Sequence, residues 1–93
     1  AATQTGGAYL TVSDAEILQA IGELGKMGIF SEPAAAASFA GMVKAAAVGL
    51  ITKDEPMLAL VTGSGLKDVQ AAMQAAGQAP IISPDLDALR KAI

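Results

Sequence analysis

The sequence predicts an α/β fold, and two observations support this prediction. Residues 57–61 (MLALV) form an unbroken apolar run. Apolar residues that do not alternate with polar ones are typical of a strand buried on both faces, as in a parallel sheet covered by helices. Elsewhere apolar residues recur at helical spacing, as do Ile17, Ile21 and Leu24. The predicted order of elements is β-α-α-β-α-(β)-α.

The first predicted strand and helix lie next to each other near the amino terminus. Residues 8–12 (AYLTV) are a short run of β-prone side chains. Ser13 is followed three residues later by Glu16, and this capping-box pattern predicts the start of a helix. We expect that helix to end at Gly25 to Gly28, because glycine is common just beyond a helix.

The second predicted helix begins at Glu32 and Pro33. Proline suits the first helical position, and an acidic residue there favours the positive end of the helix dipole. Residues 34–47 are rich in alanine and apolar nearly all round, which predicts a helix buried on more than one side. Gly49 is placed to end it.

The last part of the chain predicts two further helices. Apolar residues at helical spacing predict a third helix over residues 69–76, ended by Gly77. Residues 79–82 form a short extended piece. A final helix is expected to begin with Ser83 as its N-cap and Pro84 at its first position.

Composition limits what the protein can do. With 93 residues, the chain is long enough for one small domain. Its net charge is -3 and its basic residues are scattered, so no nucleic-acid partner is expected. Cysteine and histidine are absent, which excludes disulfides, thiolate metal sites and Ser-His nucleophile pairs. The sequence predicts no signal peptide and no membrane span, so we expect a cytoplasmic protein.

Apolar residues are in excess for a chain of this size. The chain is 53% hydrophobic and 16% charged, whereas typical domains carry about 25% charged residues. We therefore expect some apolar surface to be covered by the rest of a larger protein or by a partner subunit. The alternative is an alanine-rich protein that tolerates alanine on its exterior.

A glycine-rich loop follows the predicted buried strand. Gly63, Ser64 and Gly65 lie between that strand and the third helix, where backbone N–H groups meet the carboxyl end of a sheet and ligands commonly bind. The loop is not a Walker A motif, because Lys67 is followed by Asp68 and not by Ser or Thr. The pattern alone also allows a tight turn with Asp68 as the helix N-cap.

Glu32 is a second candidate. A glutamate at a helix start commonly stabilises the helix dipole. The functional interpretation is a carboxylate held at the edge of a ligand pocket.

Taken together, two stretches resemble the carboxyl-terminal part of threonine synthase, an enzyme of the fold-type II pyridoxal-phosphate family. Residues 28–38 read GIFSEPAAAAS and residues 60–68 read LVTGSGLKD. The resemblance covers nearly the whole chain. It implies one part of a three-layer α/β/α domain of the tryptophan synthase β-like class. Family members commonly have Asn or His in place of Ser64, and often Pro in place of Val69.

The resemblance also implies roles for individual residues. The Thr62 hydroxyl would form a hydrogen bond with the pyridine nitrogen of pyridoxal 5'-phosphate. Gly63 and Gly65 would let the backbone pass close to the cofactor ring, and Ser64 would help to form the floor of the site. Glu32 would lie near the ring and support the pocket.

The family's cofactor-linking lysine and its phosphate-binding glycine loop have no match in this chain. We therefore expect residues 1–93 to be a carboxyl-terminal fragment of the large cofactor-binding domain, without a complete second domain, inactive and without bound cofactor on its own. The implied parent is a cytoplasmic homodimeric lyase of threonine biosynthesis that converts O-phosphohomoserine and water to threonine and phosphate.

Two alternatives remain open at this stage. One is a fragment of a related pyridoxal-phosphate-dependent lyase, dehydratase or cysteate-type synthase. The other is a free-standing, non-catalytic interaction domain.

Overall fold

The structure, a computed structural model, describes residues 1–2, 4–77 and 79–93. Over these residues the chain is mainly helical. Its elements are helix α1 (Asp14–Lys26), helix α2 (Pro33–Ala47), a 3₁₀ turn (Gly65–Lys67), helix α3 (Val69–Ala76) and helix α4 (Leu86–Ala92).

The core lies where α1 packs against α2 and α3. Its buried side chains are small or medium in size, and small side chains let helix backbones approach closely. The buried cluster consists of Ala20, Ile21, Leu24, Ala36, Ala40 and Ala71. Helix α2 contributes two of its alanines to this cluster, whereas Val43 on the same helix is exposed. Helix α1 therefore lies at the centre of this three-helix core.

The predicted start of α1 is confirmed in detail. The backbone N–H of Ser13 donates to Glu16 Oε1 at 2.9 Å, and the N–H of Glu16 donates to Ser13 Oγ at 3.1 Å. The hydrogen bond from the Ser13 backbone, followed by the Ser13 hydroxyl and then the positive charge of Lys44, lowers the pKa of the Glu16 carboxyl group. Lys44 lies 3.8 Å from Glu16 Oε1 and donates to the carbonyl of Thr11 at 2.6 Å. Through this ion pair and this hydrogen bond, Lys44 connects α2 to the start of α1 and to the residues just before it.

The predicted helix ends are also confirmed. Gly28, Gly49 and Gly77 follow the ends of α1, α2 and α3, and each has a positive φ between 81° and 84°. Side chains other than glycine rarely adopt that backbone conformation. Glycine therefore stops each helix where the sequence pattern places its end.

The predicted start of the last helix is wrong. Helix α4 begins at Leu86, and its N-cap is Asp85, whose Oδ1 accepts the N–H of Ala88 at 2.7 Å. The N–H of Asp85 donates to the carbonyl of Ser83 at 2.8 Å. Pro84 therefore lies before the helix, because the carboxylate of Asp85 caps a first turn that begins two residues later than the one Ser83 was expected to cap.

The predicted strands do not form, so the α/β class and its three-layer arrangement are not confirmed. None of the described residues belongs to a β-strand, and residues 57–61 have no regular structure. Leu58 and Leu60 are 85% and 67% exposed, although the prediction buries both. A strand requires a neighbour to pair its N–H and C=O groups. Within the described residues, no such neighbour lies beside residues 8–12 or 57–61.

The described part of the molecule is elongated, with extents of 61 × 28 × 19 Å. Many large apolar side chains are exposed on it, among them Tyr9, Met57, Ile81, Leu86 and Ile93. Across residues 1–2, 4–77 and 79–93, no helix is both long and apolar enough to cross a membrane.

Candidate functional site

A short antiparallel bridge joins the start of α2 to the glycine-rich loop. Ser31 pairs with Ser64. The N–H of Glu32 donates to the carbonyl of Gly63 at 3.1 Å, and the N–H of Gly65 donates to the carbonyl of Phe30 at 3.0 Å. The structure thereby brings two predicted site segments together, although about thirty positions separate them in the sequence.

Both glycines of the loop pack directly against side chains of the opposite segment. A Cβ atom at Gly63 would overlap the carboxylate end of Glu32, and a Cβ atom at Gly65 would overlap the ring of Phe30. Packing within this chain therefore explains why both positions are glycine. A close approach of these glycines to a cofactor ring stays a prediction.

The hydroxyl groups of Ser31 and Ser64 form hydrogen bonds with backbone groups. Ser31 is only 1% exposed, and its Oγ donates to the carbonyl of Glu32 at 2.9 Å. Ser64 Oγ accepts the N–H of Leu66 at 3.2 Å, which caps the 3₁₀ turn. These contacts fix the backbone on both sides of the bridge.

Thr62 lies immediately before the bridge and is exposed. Ser38 of α2 contacts the segment that precedes Thr62. Its Oγ lies 2.9 Å from the carbonyl oxygen of Leu60 and 2.8 Å from that of Ala35. The single Ser38 proton is shared between these two carbonyls. The segment before Thr62 is thereby attached to α2, while the threonine remains accessible.

The tight turn that the loop pattern allowed is present. Asp68 caps α3, because its Oδ1 accepts the N–H of Ala71 at 3.1 Å, and Lys67 is exposed. A turn of this kind and a ligand site are compatible, since the cap uses Asp68 and leaves Thr62 free to make other contacts.

Sequence reasoning missed two residues at this site. The sequence patterns assign no site role to Phe30 or to Ser38. Both lie within residues 28–38, the first stretch that resembles the enzyme family. Nothing in the order of residues indicates that Phe30 meets Gly65 or that Ser38 meets Leu60, because these contacts depend on the tertiary fold.

A groove of about 520 Å³ lies between α1 and α3. Ile21, Gly22, Ala72 and Ala76 line it, and Phe30 lies at its border. Phe30 thus connects this groove to the loop. Among the described residues, no group of three or more His, Cys, Asp or Glu side chains is arranged to hold a metal ion.

Comparisons with known proteins identify close relatives. A protein of Methanosarcina acetivorans named threonine synthase is 38% identical over 91 residues, which are 97% of this chain and 22% of the relative. Threonine synthases of Methanocaldococcus jannaschii and Halalkalibacterium halodurans are each 41% identical. These matches cover 94% and 91% of this chain, and 22% and 24% of the relatives.

The chain therefore spans less than a quarter of the length of these relatives. A family model described as pyridoxal-phosphate dependent enzyme matches residues 1–63, which is more than half of the chain. The matched region includes α1, α2, Glu32 and Thr62, and it ends at Gly63. On this match, the chain belongs to the family of pyridoxal-phosphate dependent enzymes.

Proposed function

We propose that this chain is the carboxyl-terminal part of the cofactor domain of a threonine synthase. The whole enzyme would use pyridoxal 5'-phosphate to convert O-phosphohomoserine and water to threonine and phosphate. The similarity to three threonine synthases supports this proposal, since each matches over at least 91% of this chain. The observation that supports the site most directly is the Ser31–Ser64 bridge, which brings Glu32 beside the loop that follows Thr62.

The residues present suit one end of the cofactor. Thr62 is exposed and carries a hydroxyl group, and the neighbouring Gly63 has no side chain of its own. Around this loop, the described residues offer the phosphate end no comparable partner, because Asp68 already caps the N-terminus of α3 with a negative charge. In this proposal the chain would hold the aromatic ring of the cofactor, and the phosphate would be bound by other parts of the enzyme.

Pyridoxal phosphate, when bound, supplies a ring that stabilises negative charge developing on the substrate. Thr62 would form a hydrogen bond with the ring nitrogen. Because a threonine hydroxyl is neutral, it would not hold that nitrogen protonated as an aspartate would, and it would restrain the electron-withdrawing power of the ring. Gly63, Ser64 and Gly65 would form the floor beneath the ring. Glu32, whose side chain packs on Gly63, would support that floor at its edge.

The remaining parts of the enzyme would complete this chain. Residues 57–61 would gain strand neighbours there, which would give the α/β sheet that this chain does not form alone. Their exposed side chains, Leu58 and Leu60 among them, would be buried by that pairing. The parent enzyme would be a homodimer, and the isolated chain would neither catalyse the reaction nor hold the cofactor.

The test uses the full-length protein that contains this sequence. We expect it to form threonine from O-phosphohomoserine, and we expect Thr62→Val to weaken cofactor binding by about tenfold, the effect of losing one hydrogen bond of about 1.4 kcal/mol. Titration with pyridoxal phosphate, followed by absorbance, measures the affinity. Thr62→Ser, which keeps the hydroxyl, should bind as the wild type does.

The matched control is Thr11→Val, the same change at another exposed threonine whose side chain is far from the loop in sequence. Wild-type affinity and turnover in Thr62→Val would remove Thr62 from the site. Formation of a product from serine or threonine, with none from O-phosphohomoserine, would identify a related lyase or dehydratase. A full-length protein that binds no pyridoxal phosphate would leave the interaction-domain alternative.

A further inference from the structure

We propose that Phe30 is a positioning residue, which sets the register of the glycine-rich loop and thereby the position of the Thr62 hydroxyl. Phe30 does not itself touch the cofactor in this proposal. The inference rests on the proposed function, because it concerns the same site. It assigns to the ring of Phe30 a role that neither its sequence position nor the family match indicates.

The contact between Phe30 and Gly65 is close and has two components. The carbonyl of Phe30 accepts the N–H of Gly65 at 3.0 Å. The ring occupies the volume that a side chain at residue 65 would need, since a Cβ atom there would overlap Cδ1, Cε1 and Cζ. Gly65 is buried beneath this ring, whereas Phe30 itself is 47% exposed. The ring therefore covers the loop on one side and borders the α1–α3 groove on the other.

The equivalent contact at Gly63 yields more easily, because the contacting side chain can move away. There the atoms that would meet an added Cβ belong to the carboxylate end of Glu32. That end lies on a flexible side chain, which can turn away by changing its rotamer. A phenyl ring has fewer torsions and a rigid plane, so it can leave Gly65 only by exposing more of its apolar area. Phe30, more than Glu32, therefore resists a displacement of the loop.

Register matters because successive side chains of an extended segment point to opposite faces. If the loop moved by one residue against Ser31, the side chain of residue 62 would point to the other face. The bridge has a single residue pair, Ser31 with Ser64, and two backbone hydrogen bonds beside it. So short a bridge specifies its register weakly by hydrogen bonds alone. The fit of Phe30 to Gly65 provides the additional steric constraint.

The experiment compares variants of Phe30 and Gly65, and a control glycine variant, with the wild type in the full-length protein. Gly65→Ala adds the obstructing methyl group, Phe30→Ala removes the ring, and the double variant combines the two changes. Gly41→Ala is the matched control, because a Cβ atom at Gly41 would meet nothing within 4 Å. Two quantities are measured for each: the Kd for pyridoxal phosphate, and the melting temperature of the cofactor-free protein.

We expect Gly65→Ala and Phe30→Ala each to raise the Kd for pyridoxal phosphate by about tenfold. The double variant should be no worse than either single variant, because the methyl group then enters space that the ring has left. Gly41→Ala should keep the wild-type Kd. Phe30→Tyr, which retains the ring and can place its hydroxyl in solvent, should also keep it. If Gly65→Ala fails to fold, Phe30→Leu, which keeps an apolar side chain without the ring, should still raise the Kd.

Two results would overturn the inference. The first is a lower melting temperature in the Phe30 and Gly65 variants with an unchanged Kd, which would make the contact a packing feature only. The second is an additive loss of affinity in the double variant, which would show that the two residues act separately. A wild-type protein that binds no pyridoxal phosphate would instead overturn the proposed function, and this inference with it.

Discussion

The helical core and residues 57–61 are both apolar, yet only the core is buried. In the core, Ile21 and Leu24 of α1 pack against α2 and α3, and the capping box of Ser13 and Glu16 fixes where α1 begins. Along residues 57–61, Leu58 is 85% exposed. A helix satisfies its backbone hydrogen bonds within one segment, whereas a strand depends on a neighbour. The helical core therefore forms from contacts within this chain, whereas residues 57–61 would be paired only by further polypeptide under the proposed function.

The largest expected effect separates these two regions directly. In the 93-residue chain, Leu24→Ala should lower the free energy of unfolding by about 3 kcal/mol, because it leaves a cavity in the core. Leu58→Ala, the same substitution in the exposed segment, should change it by less than about 0.5 kcal/mol. Urea denaturation followed by circular dichroism measures both. Equal losses would mean that residues 57–61 are packed as tightly as the core.

A smaller effect is expected from the carboxylate of Glu16 in the capping box that begins α1. The pKa of Glu16 is lowered, first by the hydrogen bond from the Ser13 backbone and also by Lys44. The ionised carboxylate therefore stabilises the fold above the ordinary glutamate pKa, and this contribution is lost as the pH falls through the lowered pKa. Glu16→Gln should flatten the acid side of the stability profile. Denaturation midpoints measured across acidic pH test this.

The control for that experiment is Glu23→Gln on the same helix. Glu23 pairs with Lys26 at 3.5 Å on the surface and caps no backbone group. Glu23→Gln removes the same charge as Glu16→Gln, so general electrostatic effects on stability should appear equally in both variants. A pH profile of Glu16→Gln that matches the wild type would contradict the role assigned to the capping box.

Local signals in the sequence predicted most of the helices. The capping box at Ser13, the proline at the start of α2 and the glycines after α1, α2 and α3 act over a few residues, so their effect can be read without a fold. The start of α4 was missed because Ser83 and Asp85 both resemble N-caps. The choice between them depends on the turn that Pro84 makes.

The strands and part of the site could not be predicted in this way. The run at residues 57–61 predicts a buried strand, but a strand forms only where other strands lie beside it. At the site, the resemblance to an enzyme family indicated Glu32 and the loop together. The contact of Phe30 with Gly65 joins residues far apart in sequence, and no local sequence pattern predicts it.

Amide hydrogen exchange at residues 58–61 tests the central claim most directly. The same amides are compared in the 93-residue chain and in the full-length protein, with the amides of α1 as the internal reference. We predict rapid exchange in the short chain and strong protection in the full-length protein, because strand pairing there would occupy these N–H groups. Rapid exchange in both proteins, with α1 protected in both, would contradict the claim that the rest of the enzyme completes this segment as a buried strand.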